Sequence, residues 1–321
     1  MTRRVIVTGG AGFIGSEVVR QLLRHDYDVR VIDDLSKEGH PVPEGVDFQK
    51  ADLTEPGVAE ELFAGYDACL NLAAKIGGIG YFHEFPATIL SENNKLYSMT
   101  FEAAVKHRMA RMVYVSSSMV FESAATFPSK ESDLTEIPPP LSAYGFSKLS
   151  GEWYCKSFAD QFQLPYTICR PFNAYGINEY PGEDIGYAHV IPDLAKKVLE
   201  GQHPLELLGD GEQTRAFTHV SDIARGIITA FESEKGVNQD FNISSAEETR
   251  IVDLARQIFD LCETDREFEW KPVQAFTYDI RRRIPDTTKA REVLGFEADV
   301  KIDTGLREVI GWLRGVLEPV K

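Results

Sequence analysis

Short apolar runs rich in Val, Ile and Tyr alternate with longer stretches of helical apolar spacing along the first half of the chain. Such runs are typical of buried strands, and their alternation with helices predicts parallel βαβ units. We therefore expect an α/β fold with a doubly wound parallel sheet. The predicted strands span residues 4–8, 28–33, 46–50, 67–73, 112–117 and 165–171, and the predicted helices span 12–24, 86–107 and 142–162.

In the second half of the chain this alternation of predicted strands and helices is interrupted. A loop rich in Gly, Pro, Asn and Glu occupies residues 173–186. A loop of that length in a compact domain is usually functional, so we expect a lid or a pocket wall. Beyond it the pattern predicts a smaller, mainly helical cap. The predicted elements are helices at 189–199, 220–234, 250–262, 289–294 and 304–316 and a strand at 240–244.

The composition limits the class of protein. The chain has 321 residues, of which 43% are hydrophobic, and its net charge of −16 repels phosphate backbones and anionic lipid. No apolar run approaches the roughly 18 to 20 residues that a membrane span needs, and residues 1–4 lead directly into a strand instead of a signal-peptide core. We therefore expect a cytoplasmic protein with no nucleic-acid or membrane partner, whose anionic ligands meet a local positive pocket.

The cysteines and histidines lack the spacing of metal ligands. The four cysteines include no Cys-x-x-Cys pair and lie in apolar or helical contexts, so we expect buried, reduced thiols. The seven histidines show no His-x-x-x-His pattern, and we expect no metal site. The cysteines are Cys69, Cys155, Cys169 and Cys262.

A glycine-rich turn joins the first predicted strand to the first predicted helix. Gly9 permits the tight turn, Gly12 lets the backbone approach a pyrophosphate, and Gly15 lets the helix pack closely on the strand. The helix N-terminus adds N–H donors and partial positive charge, which an anion needs in so acidic a protein. Asp33 lies 18 positions after Gly15, at the end of the second strand. An acid there accepts a bond from a ribose 2′-hydroxyl and repels a 2′-phosphate, so we predict NAD over NADP.

Further cofactor contacts are expected where the chain leaves the strands. Asp52 follows the third strand and is placed either to approach the adenine or to act as an N-cap carboxylate for the next helix. The other predicted contacts are Phe13, Ile14, Leu53 and Ala73.

A second pattern suggests acid/base chemistry. Tyr144 and Lys148 are four residues apart in a predicted helix and share one face, so an ammonium can lie beside the phenol. We expect this pairing, together with a cofactor cation, to lower the pKa of the phenol by about 3 units. A serine at the end of the fifth strand can hold the substrate oxygen during proton transfer.

The glycine turn, the serine strand end and Tyr-x-x-x-Lys, in that chain order, resemble the extended short-chain dehydrogenase/reductases of the nucleotide-sugar epimerase/dehydratase family. The resemblance covers essentially the full chain. It implies a Rossmann domain of residues 1–172 with 217–243 that binds NAD, and a nucleotide-sugar-binding domain of residues 173–216 with 244–321. It also implies that Tyr144 is the acid/base, that Lys148 tunes it and binds the nicotinamide ribose, and that Ser117 is the third catalytic residue.

Two later segments strengthen the resemblance. Residues 170–176 resemble the family segment in which a proline, here Pro171, touches the nicotinamide and Asn173 bonds the sugar diphosphate. Residues 209–218 resemble the segment whose arginine, here Arg215, clamps that diphosphate; a surface ion pair is the alternative. Arg281 is a second candidate clamp by position, although a run of three arginines is more often a solvated face.

The residues beside Ser117 bear on the reaction. Dehydratases of the family carry Asp-Glu where this chain has Ser118 and Met119, and methionine transfers no proton, so dehydration is disfavoured. Residues 73–80 and 130–133 resemble GDP-mannose 3,5-epimerases, but their catalytic cysteine falls on Met119 and their lysine near His189. His189 could act as a single base or could cap or pack a helix.

The chemistry left is 4-epimerisation of a UDP- or GDP-linked sugar through a transient 4-keto sugar. The alternatives are a 3,5-epimerase, a 4-keto-sugar reductase or 4,6-dehydratase, and a non-catalytic nucleotide-binding module. The expected substrate contacts are Ser117, Ser118, Gly78, Asn173, His189, Val190, Arg215 and Arg281.

The resemblance also implies a homodimer through the helices at 86–107 and 142–162. Four apolar residues on them are either dimer contacts or ordinary core: Met99, Phe101, Trp153 and Phe158.

Overall fold

The structure, a computed structural model, describes residues 3–37, 42–76, 81, 84–181, 189–262, 265–274 and 280–317. The longer strands are β1 (Arg4–Thr8), β2 (Asp28–Asp33), β3 (Asp47–Lys50), β4 (Ala68–Asn71), β5 (Arg111–Val115) and β6 (Tyr166–Pro171). They are followed by β7 (Ala174–Tyr175), β8 (Leu205–Leu208), β9 (Thr214–Ala216), β10 (Thr218–His219), β11 (Gln239–Ile243), β12 (Glu248–Arg250), β13 (Trp270–Val273) and β14 (Arg282–Arg283).

The helices predicted from the apolar spacing are present, apart from the last short one, and their ends differ from the prediction by at most two residues. They are α1 (Phe13–Arg24), α2 (Val58–Leu62), α3 (Pro86–Lys106), α4 (Ala143–Phe162), α5 (Val190–Leu199), α6 (Val220–Glu232), α7 (Ile251–Leu261) and α8 (Ile302–Leu317). The predicted helix at 289–294 is a short π-helix, Ala290–Leu294.

A parallel sheet of seven strands has the order β11-β6-β5-β4-β1-β2-β3. The chain adds β2 and β3 on one side of β1 and then returns to place β4 on the other side. This reversal opens a crevice at the carboxyl ends of β1 and β4, which is where ligands bind in open α/β sheets. The predicted doubly wound α/β fold is confirmed.

Helices cover both faces of the sheet. Helices α1 and α6 enclose one core with the side chains of Val7 and Ile227, and α3 and α4 enclose the other with Ile6 and Met112. Phe101 is fully buried in this second core, and Met99 and Phe158 pack against it. In contrast, Trp153 on α4 is 61% exposed.

A third core forms the second lobe. Helices α5, α7 and α8 pack around apolar residues that include Leu207 on β8 and Leu254 on α7. The lobe also contains the short strands β8, β9 and β12 to β14, which sequence analysis did not predict, so the expectation of a mainly helical cap is incomplete. These strands have only two to four residues each, which is too short for the alternation of apolar and polar residues to be recognised in the sequence.

All four cysteines are free and buried, which confirms the expectation of reduced thiols. None of the helices in the ranges given above is long and apolar enough to cross a membrane.

A buried chain of charges links α4 to the edge of the sheet. The Arg170 guanidinium on β6 donates to both carboxylate oxygens of Glu152 at 2.7 Å and to Asp240 on β11 at 2.7 Å. Lys289 donates to the other oxygen of Asp240 at 2.6 Å. Burial alone would raise the pKa of Asp240, but the charges of Arg170 and Lys289 outweigh it and lower the pKa to about 2.

We expect Asp240→Asn to lower the free energy of unfolding by about 2 kcal/mol at pH 7, which is the equivalent of that pKa shift. Because the folded-state pKa is depressed, the stabilisation is complete above the ordinary value near 4 and is lost as the pH falls towards 2. The difference between variant and wild type should therefore shrink in this window. Urea unfolding at a series of pH values measures it, with Asp303→Asn, from an exposed pair with Arg307, as the control. A difference that does not depend on pH would contradict the assignment.

Candidate active site

A cleft of about 580 Å³ runs along the carboxyl ends of the sheet strands and into the second lobe. Most of the predicted site residues line it. They are Gly9, Gly12, Phe13, Ile14, Gly15, Asp33, Asp52, Leu53, Ala73, Ser117, Ser118, Tyr144, Lys148, Pro171, Asn173, His189 and Arg215. Val190 lines a smaller adjoining cavity, and Gly78 lies outside the described residues.

The turn between β1 and α1 is shaped by close backbone contacts. Gly9 has a φ of +67°, in the region that favours glycine, and its N–H donates to the Ile32 carbonyl at 2.9 Å. A Cβ on Gly15 would lie 2.0 Å from the Gly9 carbonyl oxygen, so no larger residue fits. Gly12 is the N-cap of α1 and has no side chain to occupy the cradle. The first N–H groups of α1 therefore face the cleft, as a pyrophosphate requires.

Asp33 completes this end of the cleft. Its carboxylate accepts the N–H groups of Ala11 at 3.0 Å and Leu35 at 2.9 Å, which hold it at the edge of the glycine turn. Burial raises its pKa. Each carboxylate oxygen has two acceptor sites, so the group can still accept a ribose hydroxyl. The residues present fit a dinucleotide with a free 2′-hydroxyl.

Asp52 does not cap a helix. Its Oδ1 accepts the N–H and the hydroxyl of Thr54, at 2.8 Å and 2.7 Å, whereas α2 begins later with Gly57 as its N-cap. The side chain closes an Asx turn at the cleft wall instead.

Tyr144, Ser117 and Lys148 meet where β5 ends. Ser117 is the residue before a 3₁₀ turn, Ser118–Phe121, and its hydroxyl accepts the Met119 N–H at 3.2 Å and hydrogen-bonds to Tyr144. The Lys148 ammonium donates to the Val115 carbonyl at 2.9 Å. Tyr144 and Lys148 are only 4% and 3% exposed.

Burial is the largest influence on the pKa of Tyr144 in the protein alone. Burial raises the pKa of Tyr144 to about 12, and the hydrogen bond to Ser117 and the positive charge of Arg283 offset only part of this. Burial likewise lowers the pKa of Lys148 to about 7, against the opposing charge of Glu152. In the protein alone, desolvation outweighs the favourable interactions of each group.

The basic residues of the cleft differ from the predicted set. Arg281 lines neither cavity; it is largely exposed and pairs with Asp210 at 2.5 Å. Arg283, which sequence analysis did not select, lines the cleft, contacts the Met119 sulfur and donates to the Asn173 amide oxygen at 2.6 Å. The register of β14 on β9 places Arg283 opposite Arg215, and both arginines line the cleft.

His189 has a carboxylate partner. It is the N-cap residue of α5, but its ring makes no cap and instead bonds to Glu179 through Nδ1. Glu179 is 4% exposed and lies with Tyr180 and Pro181 on the cleft wall, in the loop expected to form one. Residues 182–186 of that loop lie outside the described residues. No group of three or more His, Cys, Asp or Glu side chains in the described part of the chain could hold a metal ion.

Comparison with known proteins agrees with this geometry. The model of the NAD dependent epimerase/dehydratase family matches residues 5–244, so the chain belongs to this family. A UDP-N-acetyl-alpha-D-glucosaminuronate decarboxylase of Bacillus cytotoxicus is 31% identical over 98% of this chain and 99% of its own length. NAD is the cofactor of the family.

Solved structures give the same family. The UDP-glucose 4-epimerase of Thermotoga maritima, solved with UDP-glucose, is 32% identical with a TM-score of 0.88 over 98% of this chain and 100% of its own. The UDP-glucose 4-epimerase of Thermus thermophilus, solved with NAD, is 25% identical with a TM-score of 0.86 over the same shares.

We expect Gly15→Ala to weaken NAD binding at least tenfold, because the added Cβ forces α1 away from β1 and moves its N–H groups. Calorimetric titration of the protein with NAD measures this. Gly311→Ala is the matched control, since a Cβ there meets nothing within 4 Å and alanine favours the helix interior. Unchanged NAD affinity in Gly15→Ala would show that the turn does not hold the cofactor.

Proposed function

We propose that this protein is an NAD-dependent nucleotide-sugar 4-epimerase that acts through a transient 4-keto sugar. The observation that carries the proposal is the hydrogen bond between the buried Tyr144 and Ser117, in the same cleft as the glycine turn. Met119 also lines this cleft, at the position where dehydratases of the family carry a glutamate. This set supplies one acid/base and one hydroxyl donor. Inversion at C4 needs no more, whereas eliminating water needs another acid or base.

The residues have distinct tasks in this reaction. The cofactor, when bound, supplies a reversible acceptor for hydride. Tyr144 takes the proton of the C4 hydroxyl and later returns it, while Ser117 hydrogen-bonds to Tyr144 and orients the sugar oxygen. Burial keeps bulk water from the ketone, which would otherwise be hydrated or released. The keto sugar then turns over in the cleft and receives hydride on its opposite face.

The charge of the cleft favours a diphosphate. The protein as a whole is strongly acidic, yet both Arg215 and Arg283 line the cleft where it meets the second lobe, from paired positions on β9 and β14. A pair of guanidinium groups matches the oxygens of two linked phosphates. A nucleotide sugar would thus lie with its diphosphate on these arginines and its hexose towards Tyr144. The UDP-glucose bound to the related Thermotoga enzyme supports a uridine nucleotide.

Decarboxylation of a nucleotide-linked uronate is the second candidate. It begins with the same oxidation at C4, and a decarboxylase is among the relatives. Arg283 and Lys75, which both line the cleft, could hold the carboxylate. The products separate the two reactions, because decarboxylation releases CO₂ and shortens the sugar by one carbon.

We also propose a homodimer formed through α3 and α4. Helix α4 exposes Phe146 and Trp153, which are seven residues apart on one face, at 45% and 61%, and exposed apolar side chains on one face mark an interaction site.

Replacing Arg283 should weaken diphosphate binding. We expect Arg283→Met to raise the dissociation constant of UDP or GDP at least tenfold, because a buried anion loses its charged partner. Arg281→Met removes an equal charge two residues away, outside the cleft, and should change the constant by less than about twofold. Titration calorimetry on both variants makes the comparison. If both variants raise the dissociation constant equally, the net charge of residues 281–283, and not Arg283 itself, is responsible for binding.

Solvent isotope incorporation tests the reaction itself. In heavy water, with UDP- and GDP-hexoses in turn, C4 inversion by internal hydride return should give an epimer without carbon-bound deuterium. We expect Tyr144→Phe to lower kcat by at least about a hundredfold, since the variant lacks the proton carrier. Mass spectrometry and proton NMR follow both outcomes. Deuterium at C3 or C5, or release of CO₂ from a uronate, would reject 4-epimerisation.

A further inference from the structure

Glu152 lies on the catalytic helix but does not reach the cleft. It follows Lys148 by four residues on α4, so the two side chains lie on the same side of the helix. The Glu152 side chain is 1% exposed and lines neither cavity. Burying a carboxylate is costly unless it is paired and hydrogen-bonded. A role for Glu152 must therefore lie in its effect on neighbouring groups.

The Glu152 carboxylate is bonded to the ends of two strands that carry site residues. Its Oε1 accepts the Ser116 hydroxyl at 2.6 Å and Arg170 Nε at 2.7 Å, and its Oε2 accepts Arg170 Nη2 at 2.7 Å. Ser116 immediately precedes Ser117, and Arg170 immediately precedes Pro171. Both following residues line the cleft. The carboxylate therefore ties the carboxyl ends of β5 and β6 to α4.

Lys148 is anchored at the same point of β5. Its ammonium donates to the Val115 carbonyl at 2.9 Å, while Glu152 holds the hydroxyl of the next residue, Ser116. The ammonium and the carboxylate are thus attached to consecutive residues of one strand, and both are shielded from water. Solvent screens the attraction between such groups only weakly. Burial lowers the pKa of Lys148 to about 7, and the charge of Glu152 opposes this shift.

The other ionisable groups around this part of α4 are neutral or held by their own partners. Arg170 is bound to the carboxylate itself, and Glu122 accepts the N–H of the N-cap residue of α4 at 2.8 Å. On α3, Glu92 pairs with Lys95 at the surface. The neighbouring phenols and thiols stay neutral near pH 7 because burial raises the pKa of each: Tyr97, Tyr114, Tyr144, Cys155 and Cys169.

We propose that Glu152 is a positioning residue that keeps Lys148 charged at neutral pH while it holds the strand end that carries Ser117. The charge of Lys148 then does not depend on solvent, which is absent from this layer of the protein. The proposal rests on the proposed function only in giving Lys148 a task beside Tyr144 and the cofactor. It extends the buried chain of charges into the site as a row of alternating sign: Lys148, Glu152, Arg170, Asp240 and Lys289.

Glu152→Gln tests the proposal because the direction of the change separates charge from structure. The amide oxygen can still accept the Ser116 hydroxyl, but the negative charge is gone, so the ammonium of Lys148 should lose its proton at lower pH. If Glu152 only held the structure, its replacement would loosen the layer and let water reach Lys148. The midpoint would then rise towards the ordinary lysine value near 10.4.

Asp240→Asn is the matched control. Asp240 accepts the same Arg170 guanidinium at the same distance, 2.7 Å, but it does so from β11 at the edge of the sheet. The control therefore removes an equal charge from the same buried chain without touching the residue that follows Lys148 by one helical turn.

The measurement is the titration midpoint of Lys148 in the NAD-loaded protein. Lysine labelled with ¹³C at its ε carbon is incorporated, and proton–carbon NMR spectra are recorded from about pH 5.5 to 9.5, where the ε carbon reports the ionisation of the amine. The Lys148 signal is identified by its absence from the Lys148→Arg variant. The thermal midpoint of each variant reports on folding.

We expect Glu152→Gln to lower the Lys148 midpoint by at least about one pH unit, and Asp240→Asn to lower it by less than about a third of a unit. An unchanged or raised midpoint in folded Glu152→Gln would overturn the proposal. If this variant does not fold, Glu152→Gln/Arg170→Gln replaces the ion pair by two neutral amides. The same downward shift is expected there, and its absence would overturn the proposal equally.

The effect on the reaction is measured separately. We expect the alkaline limb of kcat against pH to move to lower pH in Glu152→Gln, because Lys148 is then neutral over more of the range. A limb that stays in place while the midpoint moves would show that the reaction does not use this charge, and Glu152 would not be a positioning residue.

Failure of the proposed function has a different signature, because the NMR titration needs no turnover. A protein that converts no nucleotide sugar, yet whose Lys148 midpoint falls in Glu152→Gln, rejects the proposed function and still assigns the charge of Lys148 to Glu152. A 4-epimerase whose Lys148 midpoint does not respond to Glu152 keeps the proposed function and rejects this inference.

Discussion

The contact between Gly15 of α1 and the Gly9 carbonyl is the constraint on which the site depends. It brings the first helix against the end of β1 closely enough that the N–H groups of its first turn open into the crevice. The reversal of strand order beside β1 gives that crevice its length, so that Asp33 lies at one end and Ser117 towards the other. The second lobe contributes Arg215 and Arg283 to the wall of the cleft.

Desolvation governs the electrostatics of this site. Burial pushes the pKa values of Tyr144 and Lys148 in opposite directions, and each shift favours the neutral form of its group. The protein therefore holds both groups away from the charged states that the chemistry requires. Positive charge near Tyr144 works against this penalty, and the guanidinium of Arg283 already does so.

Sequence analysis alone predicted the elements that have a strong local sequence pattern. The bounds of β1 and β2 were predicted to the residue because Val/Ile runs end there at glycine or acid, and the cofactor residues follow from that turn. Sequence analysis selected Arg281 by position, whereas Arg283 is the arginine of this run that lines the cleft, since three consecutive arginines carry the same signal. Only the pairing of β14 with β9 decides which one faces Asn173. Glu179 belongs to no motif, and the directions of the pKa shifts depend on packing between segments that are distant in the chain.

The chain of charges from Glu152 to Lys289 has a consequence for the modular organisation of the protein. The segment shared with the family ends at residue 244, and its edge strand is β11. Asp240 of that strand relies on Lys289, Asn242 binds the carbonyls of Ser129 and Asp286, and Phe296 fills the core beneath α1 and α6. The nucleotide-binding half is therefore completed by residues 286–296, which lie in the chain between β14 and α8 of the other lobe. The nucleotide-binding half is therefore not a self-contained segment of the chain. A recombinant fragment that ends at residue 244 would lack part of its hydrophobic core.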